Sequence, residues 1–356
     1  MRAAFLLLLT LTILTVPEFY TANGLPQQVA PIPQPPPPLA PDSNHRIVLD
    51  VVVTDVEGKP VSGLQQQDFT ILDNKKAQTI ASFREAMGLE PKGDPPIRAT
   101  VVVDAVNSST RHLAVQRVQL AQYLRRTNKL PVLLSLAYFI GKSPNPTEPT
   151  DNGIEAARSV DATKLGFRAI KRSAGFYGDV EREQTSVNAL QQMVAAEVKL
   201  PGRKLLIWMG PGWPYLAGPG QNLGAKGAKS LFENIVWFST VLRRGRITLY
   251  SIDLTENLEQ PFDYQEFLRG ALSPKDVGPG NIAVQVMAIQ SGGDVLTRSN
   301  NLGGSLAQCL QDARNYYTLT FDAAPGSRPD EYRSLQVTVG KPHVTVRTRT
   351  GYYAQP

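Results

Sequence analysis

The apolar positions keep one rhythm at the two ends of the chain and another in the middle. Ile47, Leu49, Val51 and Val53 alternate with Val48, Asp50, Val52 and Thr54, the period of two expected of a half-buried strand. A turn signal follows between Asp55 and Pro60, with Gly58 in it. Phe69 to Leu72 reads as a short strand, Asp73-Asn74 as a turn, and Ala77 to Phe83 as another strand. From Ile97 to Val103 the run becomes almost continuously apolar, as in a strand buried on both faces of a parallel sheet. A helix is predicted from Arg111 to Thr127, with Leu113, Ala114, Val118, Leu120, Ala121 and Leu124 on one broad face that Arg117 interrupts. Val132 to Ile140 is the next strand, and Val187, Leu190, Met193, Val194 and Val198 form a helical stripe. Then come strand Lys204 to Met209, helix Leu231 to Arg244 with Gly245 as its C-cap, and strand Arg246 to Ile252. Helix Ile282 to Ile289 and a short strand, Asp294 to Thr297, close the middle region. The period of two returns at Tyr317, Leu319 and Phe321, at Leu335, Val337 and Val339, and at Val344 and Val346.

Alternating strands and helices over residues 97–313 predict an α/β domain, an open and mostly parallel sheet with helices on both faces. The flanking β segments, 46–86 and 314–353, each have too few strands to bury a core alone. They are therefore expected to pair into one β-sandwich, with the α/β domain inserted between them. Residues 87–96, rich in Gly and Pro, read as a linker.

The first residues add a destination. Arg2 supplies a positive start, Ala3 to Val16 is apolar apart from scattered Thr, and Ala22 and Gly24 are spaced like a cleavage site. Residues 1–24 thus read as a signal peptide, too short in its apolar run for the roughly 20 residues that cross a bilayer. No Cys follows the run and no later stretch is long and apolar enough to span. Residues 25–45 are a Pro-rich linker, extended and spacer-like. The expected location is secreted, periplasmic or in the cell envelope.

Charge narrows little. The net charge of +6 is mild for 356 residues. Arg125, Arg126, Arg243 and Arg244 sit at predicted helix C-termini, where cations complement the dipole. Nothing resembles a nucleic-acid module. The single Cys, Cys309, excludes an intrachain disulfide and lies in an apolar helical run, as a small buried hydrophobe would.

In order along the chain stand Val51-Val52-Val53-Thr54-Asp55 with Gly58-Lys59-Pro60-Val61, Asp68-Phe69 before Leu72-Asp73-Asn74, and Val103-Asp104-Ala105. Arg203-Lys204-Leu205-Leu206-Ile207-Trp208 leads to Pro211-Gly212-Trp213-Pro214. Tyr250-Ser251-Ile252-Asp253, Ser291-Gly292-Gly293, Tyr316-Tyr317 and Gly351-Tyr352-Tyr353 follow. Taken together over residues 46–353, the chain resembles the exported, acidobacterial-type von Willebrand factor type A-related proteins. That resemblance implies a von Willebrand factor A-like fold and a role in binding.

It also implies where a divalent ion would sit. Type A domains hold one with a D-x-S-x-S motif after the first strand, a Thr before a later helix and an Asp after the next central strand. Asp104 matches the first Asp and Ser108 the last Ser, but Val106 stands at the middle position. Thr185 matches the Thr, and Pro211 stands where the Asp belongs. The metal set is thus degenerate: Asp104, Ser108 and Thr185, with Asn107 or Asp253 as further oxygen donors. Without an ion, Asp104 caps the adjoining loop through backbone N–H groups, and Ser108 and Thr185 are helix N-caps. No cofactor is expected in that case; in the other, Mg²⁺ or another divalent cation is.

Ligands of open α/β sheets bind at the carboxyl ends of the strands, which makes Asp104, Asn107, Ser108, Thr185, Trp213 and Asp253 the candidate binding residues. Trp213 either presents an exposed contact or folds back over the domain edge. No catalytic set emerges. His45, His112 and His343 have no metal-ligand spacing, and there is no Gly-x-Ser-x-Gly elbow. The loop from Gly218 to Gly224 misses both the dinucleotide and the Walker pattern.

Three readings follow. The first is a non-enzymatic binding or adhesion module for an extracellular or envelope protein. The second is a divalent-metal-dependent adhesion protein using Asp104, Ser108 and Thr185. The third is a hydrolase with an unrecognised site. The pairing of the two ends makes one prediction. A peptide of residues 46–86 is expected to stay unfolded by far-UV circular dichroism; a stable strand spectrum would overturn the shared sandwich.

Overall fold

A computed structural model describes residues 36, 45–88, 94–141, 144–163, 176–213, 223–253, 263–297 and 301–356. The expected signal peptide and almost all of the Pro-rich linker lie outside these residues. So do most of the Gly218 to Gly224 loop and half of the linker at 87–96.

The chain begins with β1 (Arg46–Asp55), β2 (Phe69–Asp73), β3 (Lys76–Gln78) and β4 (Ser82–Met87). The middle region runs β5 (Arg98–Asp104), α1 (Thr110–Arg126), β6 (Lys129–Phe139), β7 (Thr150–Asn152), α2 (Gly153–Ala162), α3 (Phe176–Glu197) and β8 (Lys204–Met209). It continues with α4 (Gly224–Arg244), β9 (Ile247–Asp253), α5 (Val284–Gln290), β10 (Val295–Thr297) and α6 (Leu302–Arg314). The end returns to strands: β11 (Asn315–Asp322), β12 (Glu331–Val339), β13 (Val344–Arg347) and β14 (Gly351–Ala354).

Strands from the two ends of the chain pair. β1 lies between β11 and β13, and β4 closes the other side of β11. The second sheet runs β14-β12-β2-β3. The alternate residues Ile47, Leu49, Val51 and Val53 meet Phe69, Ile71, Tyr317, Leu319 and Phe321 in one core between the two sheets. Tyr317 is wholly buried, and its hydroxyl donates to the Val61 carbonyl at 2.8 Å and accepts from Leu64 N at 3.2 Å. The strand predicted from Ala77 to Phe83 is two strands. The chain crosses between the sheets there, so β3 pairs with β2 while β4 pairs with β11.

The middle region is an α/β domain with an open, mostly parallel sheet. Its sheet runs β10-β9-β8-β5-β6-β7, parallel except for the edge strand β7. Alternate residues of one strand enter opposite cores. Leu205, Ile207 and Met209 pack with α1, α2 and α6, while Leu206 and Trp208 pack with α3, α4 and α5. This two-sided burial is why Ile97 to Val103 reads as a continuous apolar run.

Several local expectations shift. In α1 the buried line is Leu113, Gln116, Leu120, Ala121 and Leu124. Ala114 and Val118, one turn apart, face outward instead, Val118 with 56% exposure. Arg117 donates to the carbonyls of Val160 and Thr163, so it closes the end of α2 rather than breaking a face. β6 begins at Lys129 and contains Pro131, which has no N–H to offer. Its pairing with β7 shifts register between Lys129 and Leu134, where a proline can be tolerated. α4 starts at Gly224, earlier than Leu231. At its end Gly245 stays right-handed and Arg246 takes the left-handed turn, with φ of 48°.

That turn aims Arg246 at the sandwich. Its guanidinium grips Asp50 of β1 at 2.5 Å. Arg203, almost wholly buried, lies 3.7 Å from the same carboxylate. Arg203 also donates to the carbonyls of Asp312 and Ala313 at the end of α6, and stacks 4.1 Å above the Tyr316 ring. Burial alone would push the Asp50 carboxyl up, but the two guanidinium groups outweigh it and hold the carboxyl low. A second knot sits alongside, where Asp312 accepts from Arg347 at 2.7 Å and from the Tyr250 hydroxyl at 3.0 Å. Removing one side of a buried ion pair strands the other. Asp50→Ala is therefore expected to lower unfolding free energy by about 3–5 kcal/mol in urea titration. A loss within the range of surface substitutions would mean that the junction does not depend on this carboxylate.

Candidate functional site

In the sheet order, β5, β6 and β7 step outward in one direction and β8, β9 and β10 in the other. The direction reverses between β5 and β8, and the crevice at that switch point is where open α/β sheets take their ligands. Asp104 ends β5 there, and Gly210 follows β8.

Asp104 is fully buried. Its Oδ1 accepts from the backbone N–H of Val106 at 3.0 Å and of Asn107 at 2.9 Å. Its Oδ2 accepts from Asn107 Nδ2 at 2.8 Å and from Trp208 Nε1 at 3.0 Å. The Asn107 amide also donates to Ser186 Oγ on α3, at 3.0 Å. Gly210 closes over the carboxylate with φ of 146°; a Cβ there would lie 2.8 Å from Asp104 Cβ. A larger residue has no room, and the backbone itself favours glycine.

The loop after Gly210 folds inward. Gly212 has φ of 76°, and a Cβ on it would meet Val284 Cγ1 at 2.6 Å. Gln285 Nε2 holds the Pro211 carbonyl at 3.0 Å. Trp213 is 5% exposed, its ring set edge-on to Trp208 at 5.5 Å. Of its two expected positions it takes the inward one, because Gly212 lets the chain turn tightly against α5. Asn107 Oδ1 and Trp213 Nε1 are buried without a hydrogen-bond partner among the described residues.

Burial raises the Asp104 carboxyl to about 6; the donors from Asn107, Trp208 and Val106 pull it down only in part. Burial likewise raises Glu183, on α3, to about 7. Glu183 and Ser186 are one turn apart on α3 and so share a side of the helix. Neither was a sequence candidate. Ser186 was missed because α3 begins at Phe176, which places Thr185 inside the helix rather than at its N-cap and gives the inward position to its neighbour.

These residues do not fit a divalent ion. An ionised carboxylate offers about four lone-pair sites, and four N–H groups already occupy those of Asp104. Hard cations such as Mg²⁺ need those oxygens. Val106 is packed in the apolar core beneath. Thr185 is half-buried within α3, and the residue of that helix that reaches Asn107 is Ser186. Asp253 ends β9, two strand spacings, or about 10 Å, from Asp104. Ser108, buried, touches the crevice from the other side, where a Cβ on Gly210 would come 3.2 Å from its Oγ. Ser109, not Ser108, caps α1 by accepting from His112 N. Among the described residues, no group of three or more His, Cys, Asp or Glu side chains is placed to hold a metal.

No protein-family model matches the chain, and no curated protein matches it. Among solved structures, it is similar to the conserved hypothetical protein BatB of Bacteroides thetaiotaomicron, with 11% identity, 61% of this chain and 97% of that chain covered, and a TM-score of 0.32. It is similar to the manganese-loaded TRAP protein of Plasmodium vivax, with 11% identity, coverage of 76% and 96%, and a TM-score of 0.34. It is also similar to three N-terminal domains of the type V pili tip protein Mfa5 of Porphyromonas gingivalis, with 9% identity, coverage of 89% and 69%, and a TM-score of 0.32.

Asp104→Asn would turn one acceptor oxygen into a donor facing N–H groups. It is expected to destabilise the fold by about 1–3 kcal/mol. The pH dependence has a definite sign. A folded value near 6 lies above the unfolded 3.8, so folding takes up a proton between them. Wild-type stability from Asp104 should rise as the pH falls through 6 toward 4, and Asp104→Asn should lack that slope. Urea titrations across this range measure it; parallel slopes in the two proteins would contradict the assignment.

Proposed function

We propose that the chain is a non-enzymatic protein-binding module that works outside the cytoplasm, through surface complementarity at the carboxyl edge of its α/β sheet. The observation that carries this reading is the state of Asp104. At the switch point Asp104 is buried and saturated by four N–H donors, so its role is to brace loops rather than to ligate or react. Asn107 ties the first of those loops to α3, and Trp213 packs the second against Trp208. A braced loop edge suits recognition by a fixed surface.

Ile140 supports the placement. It directly follows β6 at the same edge, one strand from Asp104, and is an apolar side chain with 53% exposure. No described helix is long and apolar enough to cross a membrane, and the export reading rests on residues 1–24. The partner is an extracellular or envelope protein.

The test uses the mature chain, residues 25–356, immobilised and exposed to an envelope extract. Ile140→Asp is compared with Val56→Asp, a control on the exposed turn after β1. Expected is at least a tenfold loss of the retained partner in Ile140→Asp, with no loss in Val56→Asp and none in EDTA. Loss in EDTA would transfer the function to the metal-dependent adhesion reading. Equal retention by both variants would place the binding surface elsewhere.

A further inference from the structure

The cationic groups near the sandwich junction outnumber their carboxylate. Asp50 is engaged by Arg203 and Arg246. A third guanidinium, Arg349, lies in the turn between β13 and β14, and it is 93% buried, with 7% exposure. Its hydrogen bond is weak: Nη1 donates to the Ser239 carbonyl at 3.3 Å. No carboxylate lies within ion-pair reach of it among the described residues. The charge of Arg243 adds to its burial in lowering it, to about 9, against partial support from Asp50. A buried charge without a close counter-charge is costly, so the site calls for an anion.

A cleft exists at the right place. It lies between α4 and the segment leading into α5, and Arg349 lines it together with Asn281, Gln290 and Ser239. The space within is about 20 Å³, room for one water-sized or monatomic occupant. No acidic side chain lines it. Donors do: Arg349 has N–H groups to spare beyond its one bond. The amides of Asn281 and Gln290 each use one N–H, at 3.5 Å and 3.3 Å, on the carbonyls of Phe267 and Leu268. The other walls are apolar, among them Phe238 and Met287, which lowers the local dielectric and strengthens attraction to a desolvated anion.

We infer that this cleft is an anion site, built by Arg349 with Asn281 and Gln290, that takes a single chloride-sized ion. It is separate from the sheet edge, and its success or failure leaves the binding reading untouched. The bound ion would supply the counter-charge that Asp50 cannot give to three arginines. It would pin the last turn of the sandwich to α4.

The mature chain is melted in rising chloride at constant ionic strength, with gluconate as the balancing ion too large for the cleft. Expected is a rise of a few degrees that saturates, with broadening of the ³⁵Cl resonance by the wild type. Acetate and sulfate are expected to give little rise. Arg349→Gln should lose both signals. Asn281→Asp places a carboxylate beside the guanidinium and should raise the melting temperature in gluconate while abolishing the chloride response. Absence of a saturating chloride response in the wild type would overturn the site, as would an unchanged response in Arg349→Gln. A larger rise with acetate or sulfate would overturn the chloride-sized occupant.

Discussion

Asp50 carries one negative charge into a region where the α/β domain and the sandwich meet. Two arginines from different parts of the chain reach it: Arg203 from just before β8 and Arg246 from the turn before β9. Each also holds something else. Arg203 fastens the end of α6 and stacks on Tyr316, and Arg246 takes a left-handed backbone to arrive there. The domain insertion depends on this arrangement, because β1 and β11, which flank the inserted domain in sequence, are neighbours in one sheet. A buried carboxylate shared in this way resists replacement of any one partner, since each loss leaves a charge without an answer.

The same economy of polar groups shapes the switch-point crevice. In an open sheet this position is a ready binding site, and here the chain has filled it with its own donors. Trp208 contributes an indole N–H from inside the strand, Asn107 binds through both backbone and side chain, and Gly210 lets the next loop approach closely enough to exclude a larger occupant. A saturated carboxylate is a brace. It ties the loop after β5 to the sheet, with the loop after β8 packed directly over it. The Arg349 cleft is the opposite case, with donors in excess and no carboxylate among its described lining residues.

Much of the architecture was legible in the residues. The periods of two and 3.6 marked most strands and helices, though not β7, β14 or α2, and the continuous run from Ile97 to Val103 marked a strand covered on both faces. Val106 and Pro211, standing at two positions of the expected metal set, were legible too. Periodicity records which residues avoid water, and that is a property of the local chain. What it could not supply was any quantity that depends on two distant segments. The outward turn of Val118, the split between β3 and β4, and the closing of α2 by Arg117 all depend on what packs opposite. Likewise Ser186, not Thr185, meets Asn107 because the start of α3 sets the helix phase. Trp213 turns inward because Gly212 and Val284 come together. The chain by itself determined the class of fold and the weakness of the metal motif. Only the tertiary structure decided where each charge found its partner, since hydrogen bonds and ion pairs act over a few ångströms between residues that the sequence places far apart.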